Sequence, residues 1–204
     1  MGRPREHDDQ TREALRAAAE QLFGERGSSG VSVRAVAERV GTSTRAVYSL
    51  FGSQEGLLVD ALGQRAYELL TNAVLAHPET DDPASDLVNM SVDVFREFVT
   101  DHPALYRFTF QRVVPDFEPG PELLAERQRA VDSLTAKVAR LDEYRLLRRG
   151  ISVEAATVAF QAGCEGLANL EMRGVIMRML PEGAEKQAWR DTMTAVLRGL
   201  TRQR

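Results

Sequence analysis

The sequence lacks several features that would place it in common classes of protein. Cys164 is the only cysteine, so no disulfide can form within the chain and nothing indicates an oxidising compartment. No apolar run approaches the roughly 18 residues that a membrane-spanning helix needs. The first ten residues contain no apolar stretch of the kind found in secretory signals. We therefore expect a cytoplasmic protein.

Acidic residues outnumber basic residues in the chain as a whole, 30 to 26. The net charge is −4, and of the 26 basic residues only Lys137 and Lys186 are lysine. We interpret this preference for arginine as codon bias in a GC-rich bacterial genome. A protein with this charge can bind nucleic acid only through a local basic surface. Residues 30–52 are a candidate, because they hold three arginines and one glutamate.

Apolar residues recur three and four positions apart along most of the chain, which is the pattern of amphipathic helices. No stretch shows the alternation that is typical of a strand. The polar, proline-containing segments 77–83 and 113–121 interrupt the pattern. We predict an all-α protein of about nine helices, with Ser32, Ser53, Asp101 and Ser152 as helix caps.

Residues 33–52 fit a helix-turn-helix. Gly41 stands where a sharp turn needs a residue that tolerates positive φ, and the second helix would enter a DNA major groove. Arg45 can pair with both acceptors of a guanine, although a phosphate contact is an open alternative. The residues predicted to contact DNA are Arg3, Arg5, Arg34, Ser43, Thr44, Arg45, Ala46, Tyr48, Ser49, Ser53 and Gln54.

The first sixty residues resemble the DNA-binding domain of the tetracycline-repressor (TetR) family of bacterial regulators. The segments "GTSTRAVYSLF" and "GSQEGLL" carry the resemblance. The sequence departs from the family pattern at Thr42, where members usually have an apolar residue, and at Gln54, where they usually have lysine. The C-terminal part resembles, more faintly, regulatory domains with a tryptophan–histidine–glycine signature, with Glu165 in place of the histidine.

The resemblance implies a division of the chain into two parts. Residues 1–52 would form a three-helix DNA-binding domain, with residues 1–9 as a flexible arm. Residues 53–204 would form a helical domain for ligand binding and dimerisation. We therefore expect a homodimeric repressor that binds a palindromic operator and is released by a small, mainly apolar molecule.

Two further sets of residues are candidates for that second domain. Aromatic side chains concentrate between residues 95 and 117, where they either form packed core or line an apolar pocket with Arg107 or Glu165 as its polar contact. The predicted ligand-binding residues are Phe95, Phe98, Tyr106, Phe110 and Glu165. Small residues on the helix after Ser152 would let a partner helix approach closely. The predicted dimer interface comprises Ala159, Gly163, Gly166, Leu167, Leu170, Val196 and Leu200.

No catalytic or metal-binding constellation can be recognised in the sequence. His7, His77 and His102 have no helical partner four residues away and no cysteine or carboxylate cluster, so we expect no metal site and no cofactor. We expect a regulator and not an enzyme. Two alternatives are a helical ligand-binding enzyme with a vestigial helix-turn-helix, and an adaptor that uses the helix-turn-helix to bind a protein.

Overall fold

The structure is a computed structural model that describes residues 5–111 and 119–202, with side chains from residue 9 onward. Ten helices lie within these ranges. They are α1 (Arg5–Arg26), α2 (Val33–Val40), α3 (Thr44–Phe51), α4 (54–76), α5 (83–101), α6 (Pro103–Phe110), α7 (Pro121–Glu143), α8 (Val153–Met172), α9 (Val175–Met179) and α10 (Glu185–Leu200). Two of them contain a π-helical segment, Val59–Gln64 in α4 and Ser91–Arg96 in α5.

The all-α prediction is confirmed for the described residues. They contain no strand, and one isolated antiparallel bridge pairs Leu147 with Thr201. The short helix α9 was not predicted and brings the number to ten. Helix α1 begins at Arg5, so residues 5–9, predicted as part of a flexible arm, form its first turns. Within the described ranges, no helix is long and apolar enough to cross a membrane.

The helix ends show which local predictions hold. The hydroxyls of Ser32, Ser53 and Ser152 each accept a hydrogen bond from the backbone N–H three residues later, as N-caps do. Asp101 was wrongly predicted to cap α6, because His102 occupies the cap position and its side chain makes no capping bond. Pro103, the first residue of α6, has no backbone N–H. One fewer donor at the helix start therefore needs a cap.

The chain folds as two compact units. The first comprises residues 1–69 and 102–128, and the second comprises residues 70–101 and 129–204. Helix α4 therefore begins in the first unit and ends in the second. The domain boundary predicted at residues 52 and 53 divides the chain by function, and it stays a prediction.

In the first unit, α1 is surrounded by α2, α6 and the π-helical segment of α4. Its apolar face is fully buried, with Leu15 and Ala19 at 0% exposure. The ring of Phe23 meets Phe108 of α6 edge to face, with 5.7 Å between the ring centroids. Gly63 lies where the π-helical segment passes close to α7, and a Cβ there would lie 2.8 Å from Leu123 Cδ1.

In the second unit, α8 and α10 pack closely against each other. Gly163 of α8 makes room for Met193 of α10, since a Cβ on Gly163 would lie 2.8 Å from the Met193 sulfur. Trp189 and Met193 are both fully buried. The close approach of these two helices thus belongs to the core of a single protomer.

Candidate nucleic-acid interface

The turn between α2 and α3 has the geometry that the sequence predicts. Gly41 adopts the left-handed conformation with φ 74° and ψ 30°, which glycine enters without steric cost. Thr42 N–H then donates to the carbonyl of Ala37 at 2.9 Å and closes the end of α2. Val36 and Val47 are both 0% exposed, so the two helices are held by a common apolar contact.

This packing leaves one face of α3 directed to solvent. Thr44, Arg45, Tyr48 and Ser49 are all exposed, and Tyr48 retains 53% of its surface. Ser43 is exposed as well, although its oxygen accepts from Ala46 N–H at 3.2 Å to cap the helix. The face that was predicted to enter the major groove is therefore accessible, with Ala46 half-buried beside it.

The arginines around this face differ in how far they are neutralised. Arg34 Nε donates to Glu38 at 2.8 Å, and that hydrogen bond raises the pKa of Arg34 above its usual value. Arg39 binds both carboxylate oxygens of Glu25, at 3.1 and 2.9 Å. Within the described part of the chain, Arg45 has no ion pair. Arg45 thus carries the uncompensated positive charge of α3, and its guanidinium is available to a base or a phosphate.

The first turn of α4 follows the same surface. Ser53 Oγ accepts from Gly56 N–H at 2.9 Å, so the helix start presents backbone N–H groups that attract an anion. Gln54 Nε2 donates to the carbonyl of Val31 at 3.3 Å. Its amide is therefore partly engaged within the domain, and its predicted contact with a phosphate stays a prediction. The side chains of Arg3 and Arg5 lie outside the described residues.

Sequence reasoning missed a set of ion pairs behind this surface. Arg12 and Arg16 of α1 both bind the carboxylate of Asp60, and Arg16 also reaches Glu68 at 3.0 Å. Burial alone would lower the pKa of Arg16, but Asp60 and Glu68 outweigh it and the pKa is raised. No local pattern indicated these pairs, because Asp60 lies 48 and 44 positions from Arg12 and Arg16.

An open cleft of about 490 Å³ lies at the junction of α3 and α4. Arg12 and Asp60 form part of its wall, beside Phe51 and Val59. The start of α7 closes one side through residues 120–123. This cleft lies in the first unit, next to the end of the predicted recognition helix.

Two protein families match the chain, and their matches extend over most of its length. Residues 15–61 match the bacterial regulatory proteins of the tetR family. Residues 90–196, more than half of the chain, match the tetracyclin repressor-like C-terminal domain. The chain belongs to the TetR family. It is accordingly a ligand-responsive, DNA-binding transcriptional regulator.

Individual relatives agree with this membership. An uncharacterized HTH-type transcriptional regulator of Haemophilus influenzae is 27% identical over 191 residues, which cover 87% of this chain and 91% of the relative. The solved TetR-family regulator PfmR of Thermus thermophilus is 25% identical, with a TM-score of 0.63 and coverage of 92% and 99%. NalD of Pseudomonas aeruginosa, 24% identical over 98% of this chain and 100% of its own, has the same fold with a TM-score of 0.71.

The predicted ligand-binding residues of this TetR-family protein fall into two groups. In the first unit, Tyr106 and Phe110 stack at 5.2 Å, and Tyr67 meets Phe110 edge to face at 6.2 Å. In the second unit, Phe95 lies 5.8 Å from Phe160. The remaining two predicted residues also belong to the second unit. Phe98 is buried, and Glu165 accepts a hydrogen bond from Gln161 of the same helix at 2.8 Å.

The predicted dimer residues of the TetR-family protomer also divide in two. Gly163 and Leu167 face the protomer's own core, since Gly163 accommodates Met193 and Leu167 is 5% exposed. Gly166 and Leu170 are exposed, and a Cβ on Gly166 would meet no atom within 4 Å. Half-buried positions complete the set: Ala159, Val196 and Leu200.

Proposed function

We propose that this TetR-family regulator is a homodimeric repressor of a palindromic operator. The observation that carries the proposal is the exposed face of α3, with Arg45 as its uncompensated charge. Arg45 would read a guanine, and the start of α4 at Ser53 would bind a backbone phosphate. Repression rather than activation is supported by NalD, which is described as the secondary repressor of a multidrug efflux pump.

A palindromic operator has two equivalent half-sites, so the protein that binds it would be a symmetric dimer. Two copies of α3 must lie about 34–36 Å apart to reach successive major grooves. We assign the interface to the outer faces of α8 and α10, where Gly166 and Leu170 are exposed. Val158, 68% exposed, extends the same face of α8. An apolar face of this kind is normally covered in a stable protein.

Release of the operator would depend on a small, mainly apolar molecule. A ligand shifts the equilibrium only by its different affinity for the DNA-binding and released states. Helix α4 is the natural route, since it begins directly after the recognition helix and ends in the second unit. The aromatic groups around Phe95 and Phe110 are the candidate contacts. Residues 53–204 would thus bind ligand, residues 1–52 would bind DNA, and the protein would act in the cytoplasm without enzymatic activity.

The test is selection of genomic DNA fragments by the purified protein, followed by measured affinities for the selected sequence. Arg45→Ala should reduce discrimination between the operator and altered sites by about 1–3 kcal/mol per half-site. Arg34→Ala is the matched control, because Arg34 is equally charged and highly exposed but paired with Glu38. It should weaken all sequences alike. A parent protein that enriches no sequence would overturn the proposal and favour a protein-binding adaptor.

A further inference from the structure

The guanidinium of Arg12 is shared by three groups from two other helices. One of its nitrogens binds the carboxylate of Asp60 in α4. Its other terminal nitrogen donates to the backbone carbonyl of Leu50 at 2.9 Å. Its carbon atom Cζ lies 5.1 Å from the centroid of the Phe51 ring, which is within the range of a cation–π contact. Leu50 and Phe51 are the last two residues of α3.

The covalent connection between α3 and α4 is short. It consists of Gly52 and Ser53, and Gly52 has φ 72°. Ser53 N–H donates to the carbonyl of Phe51 at 2.8 Å, so the backbone itself already links the end of α3 to the start of α4. Arg12 adds a side-chain link farther along α4, because it holds the end of α3 and the carboxylate of Asp60 at the same time.

Asp60 lies in the irregular part of α4. Residues Val59–Gln64 form a π-helical segment, a form that is rare and is often found at functional sites. Conversion of such a turn to regular α-helix rotates the residues within it relative to those on either side. The carboxylate of Asp60 would then move relative to the end of α3, and Arg12 would move with it or release Leu50.

Arg16 provides a comparison within the same helix. It also binds Asp60, and it adds Glu68 at 3.0 Å and Glu13 at 3.7 Å. Among the residues that the structure describes, it makes no contact of this kind with α3. The two arginines thus share the attachment of α1 to α4, but Arg12 alone of the pair extends it to the recognition helix.

We propose that Arg12 is a positioning residue that couples the orientation of the recognition helix to the state of the π-helical segment in α4. The proposal rests on the proposed function, in which α4 carries the response to ligand. It adds the residue through which that response reaches α3. Loss of the bridge would leave both helices folded and would weaken the response of α3 to a change in the π-helical segment.

The experiment needs no ligand, because Gly63 offers a way to perturb the same turn. A Cβ at Gly63 would lie 2.8 and 3.0 Å from the two methyl carbons of Leu123 and 3.4 Å from the ring of Phe108. Gly63→Ala should therefore press on the turn, and Gly63→Val, with its larger branched side chain, is used where rotation of the Leu123 side chain relieves the smaller change. Amide hydrogen exchange of residues 44–52 then reports whether α3 responds. The same variants are compared for affinity to the DNA that the parent selects.

Two conservative variants decide the outcome. Arg12→Lys keeps the charge beside Asp60 but lacks the planar fork that serves Asp60 and Leu50 together, and Arg16→Lys is the matched control. In the parent and in Arg16→Lys, Gly63→Ala should accelerate exchange in α3 at least about threefold, as expected for residues coupled in one network. In Arg12→Lys, exchange should already be faster and should respond less to Gly63→Ala. Arg12→Gln serves as a second variant if Arg12→Lys is poorly folded.

Equal responses to Gly63→Ala in both arginine variants would overturn the proposal, and so would no response in the parent. The two proposals can fail separately. A parent that selects no DNA but shows the expected exchange pattern would contradict the proposed function and retain the coupling. If the parent binds its operator and Arg12→Lys responds like Arg16→Lys, only the coupling is contradicted.

Discussion

The carboxylate of Glu171 accepts two hydrogen bonds from the guanidinium of Arg96, at 3.1 and 2.6 Å. The indole nitrogen of Trp189 donates to the same carboxylate at 2.6 Å. Donors from α5 and α10 thus meet on one acceptor of α8, and the side chains of Arg96 and Glu171 are only 13% and 12% exposed. The second unit therefore has a polar contact at the point where three of its helices come together.

Glu171→Gln should destabilise the protein strongly. It leaves the buried charge of Arg96 without a counter-charge, and removal of one partner of a buried ion pair costs about 3–5 kcal/mol. Urea unfolding followed by the fluorescence of Trp189, the single tryptophan, measures the change. Glu97→Gln is the control, because Glu97 pairs with Lys186 at 3.4 Å on the exposed surface. Its cost should be about 0–1 kcal/mol, and equal losses for both variants would contradict the assignment.

Stability should fall in acid in part because Asp86 and Glu79 are bound by cations in the folded state. Burial would raise the pKa of Asp86, but hydrogen bonds from Thr80 and Arg140 outweigh it and the pKa lies below its usual value of 3.8. A hydrogen bond from Lys137 lowers the pKa of Glu79 below 4.5. A lowered pKa means that the folded state binds fewer protons than the unfolded state. The contribution is therefore complete above about pH 5 and is lost as the pH falls through the folded-state values.

Asp86→Asn tests this pH dependence. It should cost about 1–3 kcal/mol at neutral pH, since Arg140 and Thr80 lose a charged acceptor, and the cost should shrink toward pH 3. Unfolding free energies at several pH values give both quantities. Asp142→Asn, an exposed change on α7, should leave the slope against pH as it is in the parent. If Asp86→Asn also leaves the dependence of the unfolding free energy on pH unchanged, the acid sensitivity belongs to other groups.

The two glycines of α8 should behave differently. Gly166→Arg places a long charged side chain on the exposed face and should yield monomers by sedimentation at micromolar concentration, with the protomer still folded. Gly163→Ala should instead act within the protomer, because its Cβ would crowd the Met193 sulfur; since alanine favours the helix by about 1 kcal/mol and methionine is flexible, the net change in stability should stay within about 1 kcal/mol. Gly163→Ala should leave the dimer intact. A dimeric Gly166→Arg protein would move the interface away from this face.

Gln54→Lys should increase the dependence of operator binding on salt. Each phosphate that is neutralised adds about 0.9 to the slope of log K against log salt, so the change in both subunits should steepen it by roughly 2 units. Sequence preference should barely change, since phosphate contacts do not read bases. Gln187→Lys adds the same charge on the exposed side of α10 and should leave the slope nearly unaltered. An unchanged slope for Gln54→Lys would show that the start of α4 does not approach the DNA backbone.

Local signals in the sequence were sufficient for nine of the ten described helices and for the helix-turn-helix. Ser32 and Ser53 were predicted as caps because a short hydroxyl side chain can satisfy the free N–H groups of a first turn. Gly41 was predicted at the turn because few other residues adopt its φ. Each of these inferences depends on atoms within four residues of one another, and that is why they hold.

Contacts between distant residues could not be predicted in the same way. Small residues on α8 indicated close helix packing, but the sequence does not say whether the neighbour is Met193 of the same protomer or a residue of a partner. Aromatic residues indicated a pocket, whereas Phe95 and Phe110 belong to different units. Arg12 was missed because its partners Leu50 and Asp60 lie 38 and 48 positions away, and no local pattern connects them.

The scarcity of lysine has a practical consequence once the positions of its two side chains are known. Lys137 Nζ donates to the carbonyl of His77 at 2.9 Å and to Glu79 at 2.8 Å, and its side chain is 9% exposed. Lys186 is about half exposed on the outer side of α10. Amine-reactive dyes, crosslinkers and acylating agents would therefore modify one of the two lysines and largely spare the other. Among the lysines, Lys186 would therefore receive the label, which places a fluorophore on α10 of each protomer without a new reactive side chain.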